Sequence, residues 1–436
     1  MNRKLTVGER VMYVSPEAPV NCIFPVKIRG QINQERLEQA LLKLQHKHPL
    51  LRVVIREDEK GAPYYVSDTQ IPPIPVDIRE RYTNDDWQQV SVDEWYRPFE
   101  VTKGPLARVI WLRSDAVSEL LLVCPHCICD GSSILTLLRE LLLTLDNPSL
   151  ELTSYSSFDS IEELLPPSLL SNKKFRLRGL VFGKIAQVVL WFKTRGLKPL
   201  VSRGYLLHWK LSQELSNTLV HRCKEEGTSL FAVISVAFLE AFRQVRPSTA
   251  HNKLICPVDI RRFVPEIAQD ELFAFAPIVE LSMDTSALTD FWSKTRSFKN
   301  DLMAKIDKIN IHELLYMGEH FHGSLPRMVT FLKTTDGTHD VTLSNMGKLQ
   351  LPEKFDTFEV ETVYSPSAGF PWRNPNTLVA STYKGLLDFT FISNEAFLPE
   401  SDARAIQMKA ISILQEKSRI KQTYGVERQN AKDLHT

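Results

Sequence analysis

The chain has 436 residues, of which 43% are hydrophobic and 24% charged, a composition typical of a globular protein. Its 53 Lys and Arg residues balance 52 Asp and Glu residues, so the protein as a whole has no net field that would attract nucleic acid or a membrane, and a charged partner must be bound by a local patch. This length exceeds what one compact core supports and predicts two domains, or two halves packed together.

The first residues mix charged and apolar side chains and lack the continuous apolar core of a signal peptide. The six cysteines are scattered, except for Cys124, Cys127 and Cys129. This distribution argues against a disulfide framework and favours a reducing compartment. We therefore expect a cytoplasmic protein.

In chain order, the first half alternates irregularly between strand and helix patterns. Leu37, Ala40, Leu41 and Leu44 recur at helical spacing after Asn33 and predict a helix that ends before residue 49. Apolar and β-branched runs predict strands, and two further periodic segments predict helices. The predicted strands cover residues 21–29, 50–55, 63–66, 106–112 and 120–124, and the further helices cover residues 85–96 and 131–145.

The chain changes character between residues 147 and 200, where polar and basic residues replace the strand patterns, so we place a domain boundary there. This divides the chain into an N-terminal half (1–160), a basic linker or helix (161–203) and a C-terminal half (204–436). The second half is predicted to hold helices at 213–226, 229–245, 288–307, 311–320 and 401–416, and strands at 205–211, 253–260, 272–283, 342–345, 357–364, 377–383 and 386–392, before a loose polar tail after Lys417.

Neither half shows a strict strand–helix–strand alternation. This argues against a doubly wound parallel sheet and predicts an α+β protein built as a two-part layered sandwich.

The segment around His126 carries the strongest indication of chemistry. An apolar run ends at Pro125, His126 follows at once, and Asp130-Gly131 opens a helix. A histidine titrates near pH 6.5, so it can act as a general base at neutral pH. Asp130 stands where an acid caps a helix, which makes it a scaffold residue.

This segment resembles the HxxxDG motif of the acyltransferase superfamily that includes chloramphenicol acetyltransferase, nonribosomal peptide condensation domains, plant BAHD enzymes, and polyketide-associated and alcohol acetyltransferase-like proteins. Four other segments resemble superfamily sequences in the expected order. They are residues 48–52 (HPLLR), 98–108 (PF…GPLAR), 257–262 (PVDIRR) and 344–347 (SNMG). The DFGWG sequence of BAHD enzymes is absent, and residues 368–372 (AGFPW) stand in its region. The chain thus looks closer to the polyketide-associated and alcohol acetyltransferase-like branch.

The resemblance implies two chloramphenicol-acetyltransferase-like α/β-sandwich halves with an active-site tunnel at their interface. His126 would take a proton from the acceptor, which attacks a thioester carbonyl directly, without a covalent acyl-enzyme. Asp130, Gly131 and Arg261 would be structural, with Arg261 pairing with Asp130. Ser344 or Asn345 would stabilise the oxyanion or line the tunnel. Many relatives carry an additional histidine where this chain has Pro125.

The resemblance also implies the substrates. The donor would be a coenzyme A thioester or an acyl group carried by phosphopantetheine on an acyl carrier protein, with no permanently bound cofactor. A hydroxyl acceptor is the main prediction. Two alternatives stay open: a condensation-type amide synthase acting on carrier-bound substrates, and a non-catalytic relative that binds a carrier protein or lipid.

Two other features bear on possible ligands. Cys124 and Cys127 have the spacing of a zinc knuckle, but a second pair is missing, so no metal is predicted. Residues 171–203 contain many basic and apolar residues and no acid. This stretch is either a helix that packs over the domain boundary with a solvated basic face, or a helix that lies peripherally on an anionic membrane. A single basic helix on a neutral protein does not indicate nucleic-acid binding.

Overall fold

The N-terminal half contains a central sheet with helices packed on it. The computed structural model describes residues 1–15, 20–199 and 202–419. The first elements are β1 (Asn2–Lys4), α1 (Val7–Tyr13), β2 (Asn21–Arg29), α2 (Gln34–Lys47), a 3-10 turn (Pro49–Arg52), β3 (Val53–Glu57), β4 (Pro63–Ser67), β5 (Val76–Glu80), α3 (Asp86–Tyr96), β6 (Arg108–Arg113), β7 (Val117–Pro125) and α4 (Gly131–Asp146).

A helical connection leads to the C-terminal half. It consists of a 3-10 turn (Ile161–Leu164), α5 (Pro167–Leu170) and α6 (Lys173–Thr194). The remaining elements are β8 (Gly204–Lys210), α7 (Gln213–Glu225), α8 (Leu230–Val245), β9 (Lys253–Pro257), β10 (Ile278–Ser282), α9 (Phe291–Asp307), α10 (Ile311–Glu319), a 3-10 turn (His322–Ser324), α11 (Leu325–Thr334), β11 (Val341–Lys348), β12 (Glu359–Val363), β13 (Ser367–Ala368), β14 (Thr377–Tyr383), β15 (Leu386–Asn394) and α12 (Glu400–Ser418). The predicted loose tail falls almost entirely outside the described residues.

Two large mixed sheets form the centres of the two lobes. The N-terminal sheet has the order β12-β2-β7-β6-β5, with β13 also paired to β2, and the C-terminal sheet has the order β10-β9-β11-β14-β15-β8. A small sheet, β1-β4-β3, adds to the first lobe. The predicted α+β class, with two layered sandwich lobes, agrees with this architecture.

One segment departs from the predicted division of the chain. Residues 359–368 were assigned to the C-terminal half, 204–436, but β12 and β13 pair with β2 in the N-terminal sheet. The break between β12 and β13 lies opposite Pro25, which has no N–H to offer a neighbouring strand. Tyr364 in this break donates its backbone N–H to the carbonyl of Pro25 instead (3.2 Å). Strand pairing over such a sequence distance cannot be read from local patterns.

The predicted strand at 272–283 was too long. Only residues 278–282 form β10, and Phe273 is fully buried outside the sheet. The N–H of Phe273 donates to the Ser133 hydroxyl (3.0 Å), and its carbonyl accepts from the N–H of Asp130 (2.9 Å). The residues before β10 are therefore apolar because they are buried against the other lobe. In the sequence, such a run cannot be distinguished from a buried strand.

Six of the described helices and strands were not predicted: β1, α1, β5, α5, α11 and β13. None is longer than ten residues, and α1, for example, spans only seven residues and is stabilised by a capping box between Thr6 and Glu9.

A buried polar network joins the lobes near residues 48–52. Nε2 of His48 and the Lys47 ammonium both bind the Glu140 carboxylate, at 2.8 and 2.6 Å, and Lys47 also reaches Asp270 of the other lobe. Burial would raise the pKa of Glu140, but His48 and Lys47 outweigh it and lower that pKa. The His48 of the HPLLR segment is thus part of the lobe interface.

A second connection between the lobes is the ion pair of Asp130 and Arg261. Nη1 of Arg261 lies 2.6 Å from Oδ2 of Asp130, and its Nη2 donates to the Ser133 hydroxyl and the Glu271 carbonyl, both at 2.9 Å. The Arg261 side chain is 1% exposed. Burial would lower the pKa of Arg261, but the carboxylates of Asp130 and Asp259 outweigh it and raise that pKa.

Replacing Arg261 tests this connection. Arg261→Met should lower the free energy of unfolding by about 3–5 kcal/mol, because it leaves the Asp130 carboxylate buried without its partner. Arg262→Met is the matched control, since Arg262 is the exposed neighbour, and should cost about 0.5 kcal/mol or less. Urea unfolding followed by circular dichroism measures both. Equal stabilities of the two variants would contradict the assigned role, and Asp130→Asn combined with Arg261→Met should recover part of the loss.

Candidate functional site

The site is built on the turn that follows β7, residues 126–129. Three parts of the chain hold this turn through its backbone. The N–H of His126 donates to the Val20 carbonyl (2.6 Å), and the Tyr65 hydroxyl donates to the Cys127 carbonyl (2.7 Å). The third contact is the hydrogen bond from Asp130 to Phe273 described above. The turn is therefore fixed from both lobes before any substrate arrives.

His126 is half-buried at the end of this rigid strand. Its Nδ1 is buried and makes no hydrogen bond of normal geometry with any of the residues that the structure describes. Burial lowers the pKa of His126. The backbone groups of His126 and Cys129 and the charge of Asp130 favour the protonated form, but their effect is smaller than that of burial. The imidazole is consequently neutral at neutral pH, the state required of a general base.

An aromatic ring from the C-terminal part of the chain lies beside this imidazole. The rings of His126 and Phe370 are 5.7 Å apart between centroids, at 46°. The N–H of Gly369 donates to the Asn21 carbonyl (3.3 Å), which places Phe370 beside the first residue of β2. A side chain at Gly369 would lie 2.4 Å from Cβ of Trp95, so this close approach requires glycine.

Phe370 was not among the predicted site residues. The sequence signal was the AGFPW segment at 368–372, which stands in the region of the BAHD DFGWG sequence without matching it. Its place beside His126 depends on the pairing of β13 with β2, which no local pattern reveals.

Asp130 and Gly131 form the start of α4 and act as its framework. Oδ1 of Asp130 accepts from the N–H of Ser133 (2.8 Å), and Oδ2 receives Arg261, so both oxygens are engaged. A carboxylate used in this way caps the helix and cannot also serve as a free base. A Cβ on Gly131 would lie 2.8 Å from the Met346 sulfur, so the SNMG segment packs directly against the first turn of α4.

Ser344 and Asn345 lie at an irregularity of β11 beside the same helix. The register of β11 against β14 shifts between Asn345 and Gly347, and Oδ1 of Asn345 accepts from the N–H of Gly347 (3.0 Å). Ser344 is half-buried and Asn345 is exposed. Within the described part of the chain, no hydrogen bond joins either residue to His126, so their role at the oxyanion or tunnel stays a prediction.

Pro125 and the neighbouring cysteines are buried on the inner side of the turn. Pro125 ends β7 opposite Asn21 and is buried. Cys127 is buried as well, which raises its pKa to about 12, and a mutual hydrogen bond between Cys124 and Cys129 raises the pKa of Cys124. These thiols are protonated at neutral pH and are therefore poor nucleophiles. Among residues 1–15, 20–199 and 202–419, no group of three or more His, Cys, Asp or Glu side chains could hold a metal ion.

This arrangement can carry out one kind of chemistry well. A neutral, half-buried imidazole is fixed at the end of a strand, and an aromatic ring from the other end of the chain covers part of it. The helix behind it is anchored by a buried ion pair. Such a group can remove a proton from an acceptor held next to it.

Part of the chain is similar in sequence to known proteins. The sequence model of the condensation-domain family matches residues 20–158. One of the plipastatin synthase subunits from Bacillus subtilis (strain 168) is 26% identical over 223 residues. That match covers 49% of this chain and 8% of the synthase polypeptide, so the chain spans a small part of this relative.

Two solved structures share the fold over nearly their whole length. The trichothecene 15-O-acetyltransferase from Fusarium sporotrichioides has a TM-score of 0.71 at 14% identity, covering 96% of this chain and 95% of that one. Polyketide synthase associated protein 5 from Mycobacterium tuberculosis has a TM-score of 0.64 at 17% identity, covering 95% and 98%. Residues 20–158 thus match the condensation-domain family, and the chain as a whole shares the two-lobed fold of these two solved proteins.

Proposed function

We propose that this chain transfers an acyl group from a phosphopantetheine thioester, carried on a carrier protein, to an amine acceptor, with His126 as the general base. The observation that carries the proposal is the position of the His126 imidazole at the start of the HxxxDG motif, on a turn that hydrogen bonds from both lobes hold in place. The condensation-domain match at residues 20–158 and the similarity to a plipastatin synthase subunit support the carrier-bound donor.

The proposed reaction is a direct transfer. The acceptor nitrogen attacks the thioester carbonyl and loses its proton to His126, and the negative charge moves onto the carbonyl oxygen. When the tetrahedral intermediate collapses, the carbon–sulfur bond breaks and the thiolate takes the proton back from the imidazolium. The products are an amide and a free phosphopantetheine thiol, and no acyl group is attached to the protein.

This proposal departs from the main prediction from the sequence, which was transfer from a coenzyme A or acyl-carrier-protein thioester to a hydroxyl. The family match and the similarity to plipastatin synthase favour the condensation-type alternative. A hydroxyl acceptor follows the same proton transfer at His126 and is tested alongside. The non-catalytic alternative predicts binding of the donor without consumption of its thioester.

The donor and acceptor classes can be tested together. The purified chain is incubated with an acyl group on a phosphopantetheinylated carrier protein or on coenzyme A, and with an aminoacyl thioester or a simple alcohol as acceptor. We expect free thiol release and an amide product only with the carrier-bound donor and the amine. Equal or greater ester formation from coenzyme A would overturn the donor and acceptor assignments, and an intact thioester in all mixtures would overturn catalysis.

Removing the base should strongly lower turnover while leaving the fold intact. His126→Ala should lower the turnover number by about 10²–10⁴, the usual contribution of a positioned general base. His221→Ala is the matched control, because His221 is a histidine whose side chain is 65% exposed on α7, and it should leave turnover unchanged. Circular dichroism establishes that both variants are folded. Turnover by folded His126→Ala close to that of the wild type would rule out the general-base role.

The pH dependence of the rate follows from the burial of His126. Burial lowers its pKa, so the basic form persists below the ordinary imidazole value of about 6.5. The acid limb of the kcat/KM profile should therefore have an apparent pKa below about 6.5. Steady-state rates between about pH 5 and pH 8 measure this limb. An acid limb centred above the ordinary value would show that another group controls the reaction.

A further inference from the structure

Helix α6 exposes far more apolar surface than the other surface helices, and neither the fold nor the proposed site accounts for it. Nine of its apolar side chains are between 37% and 67% exposed. They are Leu177, Leu180, Val181, Phe182, Ile185, Val188, Val189, Trp191 and Phe192. Isolated exposed apolar residues are ordinary, but a continuous set of this kind usually marks a binding surface.

The helix rests on the protein through a narrow stripe of small residues. A Cβ on Gly179 would lie 2.2 Å from the His320 ring, and a Cβ on Gly183 would lie 2.3 Å from the His320 carbonyl oxygen. The Ser324 hydroxyl donates to the carbonyl of Gly183 (3.2 Å). Thr194 is the third buried residue of the helix. Close approach along this stripe fixes which side of α6 faces outward.

The side opposite this stripe is an apolar face. Leu177, Val181, Ile185, Val188 and Phe192 follow one another at spacings of three and four residues, which places them along one line of a helix. All five are exposed by 47% to 67%. We call these five residues the α6 apolar face.

Positive charge surrounds this face. Residues 171–203 contain nine basic residues and no Asp or Glu. They are Lys173, Lys174, Arg176, Arg178, Lys184, Lys193, Arg195, Lys198 and Arg203, of which Arg203 is paired with Asp93 at 3.1 Å. Most of them lie at the two ends of the helix, and the neighbouring α11 adds exposed Arg327 and also contains no acid. The rest of the protein is nearly neutral, so the charge is local.

The composition of α6 does not fit a membrane-spanning segment. In the described residues no single helix is both long and apolar enough to cross a membrane. The pair α7 and α8 passes by length and composition together, but it is bent by 107° at its break, and α8 is largely buried in the core of the C-terminal lobe. A helix with an apolar centre and basic ends is instead suited to lie along an interface.

We propose that α6 binds the surface of an anionic lipid membrane, with the α6 apolar face inserted among the acyl chains and the basic residues on the lipid headgroups. A partner that covers α6 must offer both apolar groups for the α6 apolar face and negative charge for the basic residues. Phosphates alone would leave the apolar face exposed, and an apolar partner alone would leave the basic ends unpaired. A second copy of this chain is disfavoured, because a two-fold contact would bring the basic ends of two helices together.

Vesicle binding tests the proposal independently of any enzymatic activity. The full chain is sedimented with vesicles of phosphatidylcholine, with and without phosphatidylglycerol. We expect binding to the anionic vesicles, weak binding to the neutral ones, and loss of binding near 1 M salt, where charges are screened within about 3 Å. Absence of binding to anionic vesicles, or binding unaffected by both lipid charge and salt, would overturn the proposal.

Matched variants separate the α6 apolar face from exposed apolar residues in general. The test variant carries Leu177→Ser, Val188→Ser and Phe192→Ser. The control variant carries Leu288→Ser, Met303→Ser and Met408→Ser, which replace residues that are also more than half exposed but lie elsewhere. The test variant should bind anionic vesicles at least about tenfold more weakly than the wild type, and the control should bind equally well. Equal binding by both variants would refute the assignment of the face.

A protein occupant of the same face would give a different result. Sedimentation velocity without lipid measures whether the chain self-associates. If the wild type forms dimers that the test variant dissociates, the face is an interface between copies and the membrane proposal is overturned. Thermal unfolding by circular dichroism establishes that the variants are folded. The salt and lipid dependence of the wild type remains decisive if the test variant does not fold.

Discussion

The buried ion pair between Asp130 and Arg261 is the interaction on which the site depends. Asp130 caps α4, four residues after His126, and Arg261 comes from the other lobe. One residue pair therefore fixes the start of the helix, the turn that carries the imidazole and the contact between the lobes. Charges in this environment are tolerated because both terminal nitrogens of the guanidinium find acceptors. Its two terminal nitrogens reach Asp130, Asp259, the Ser133 hydroxyl and the Glu271 carbonyl.

Residues 359–370 cross from the C-terminal lobe to the N-terminal lobe and form another connection between the lobes near His126. This segment leaves the C-terminal sheet, pairs with β2 in the other lobe, and brings Phe370 beside His126. Further along, the N–H of Arg373 donates to the Leu332 carbonyl of α11 (2.8 Å), and α11 is the helix on which α6 packs. The surroundings of the imidazole and the exposed α6 are thus joined by one short path of packed elements.

Local features of the fold could be predicted from the sequence because they depend on local patterns. The structure confirms the helices predicted from apolar periodicity, α2 and α4, and their capping residues, Asn33 and Asp130. It also confirms the strand that ends at Pro125. The partner of Asp130 came from a resemblance, since 131 residues separate it from Arg261 and no spacing connects them.

The remaining features could not be predicted because they arise from contacts between distant segments. The sequence around Phe273 predicted a strand, but the backbone of Phe273 makes hydrogen bonds to Ser133 and Asp130 of the other lobe. Phe370 carried no periodic signal, and its position follows from β13 pairing with β2. For α6 the sequence left two interpretations open, because composition alone does not tell which side of a helix is covered. The contact of Gly179 and Gly183 with His320 identifies the covered side.

The central claim is direct acyl transfer with His126 as base, and intact-protein mass spectrometry tests it most directly. The wild-type chain is mixed with a carrier-bound acyl thioester and an amine acceptor, and protein and product masses are followed over the same time course. The account predicts that the amide accumulates while the protein keeps its unmodified mass throughout. A protein that gains the acyl mass before the product appears would contradict it.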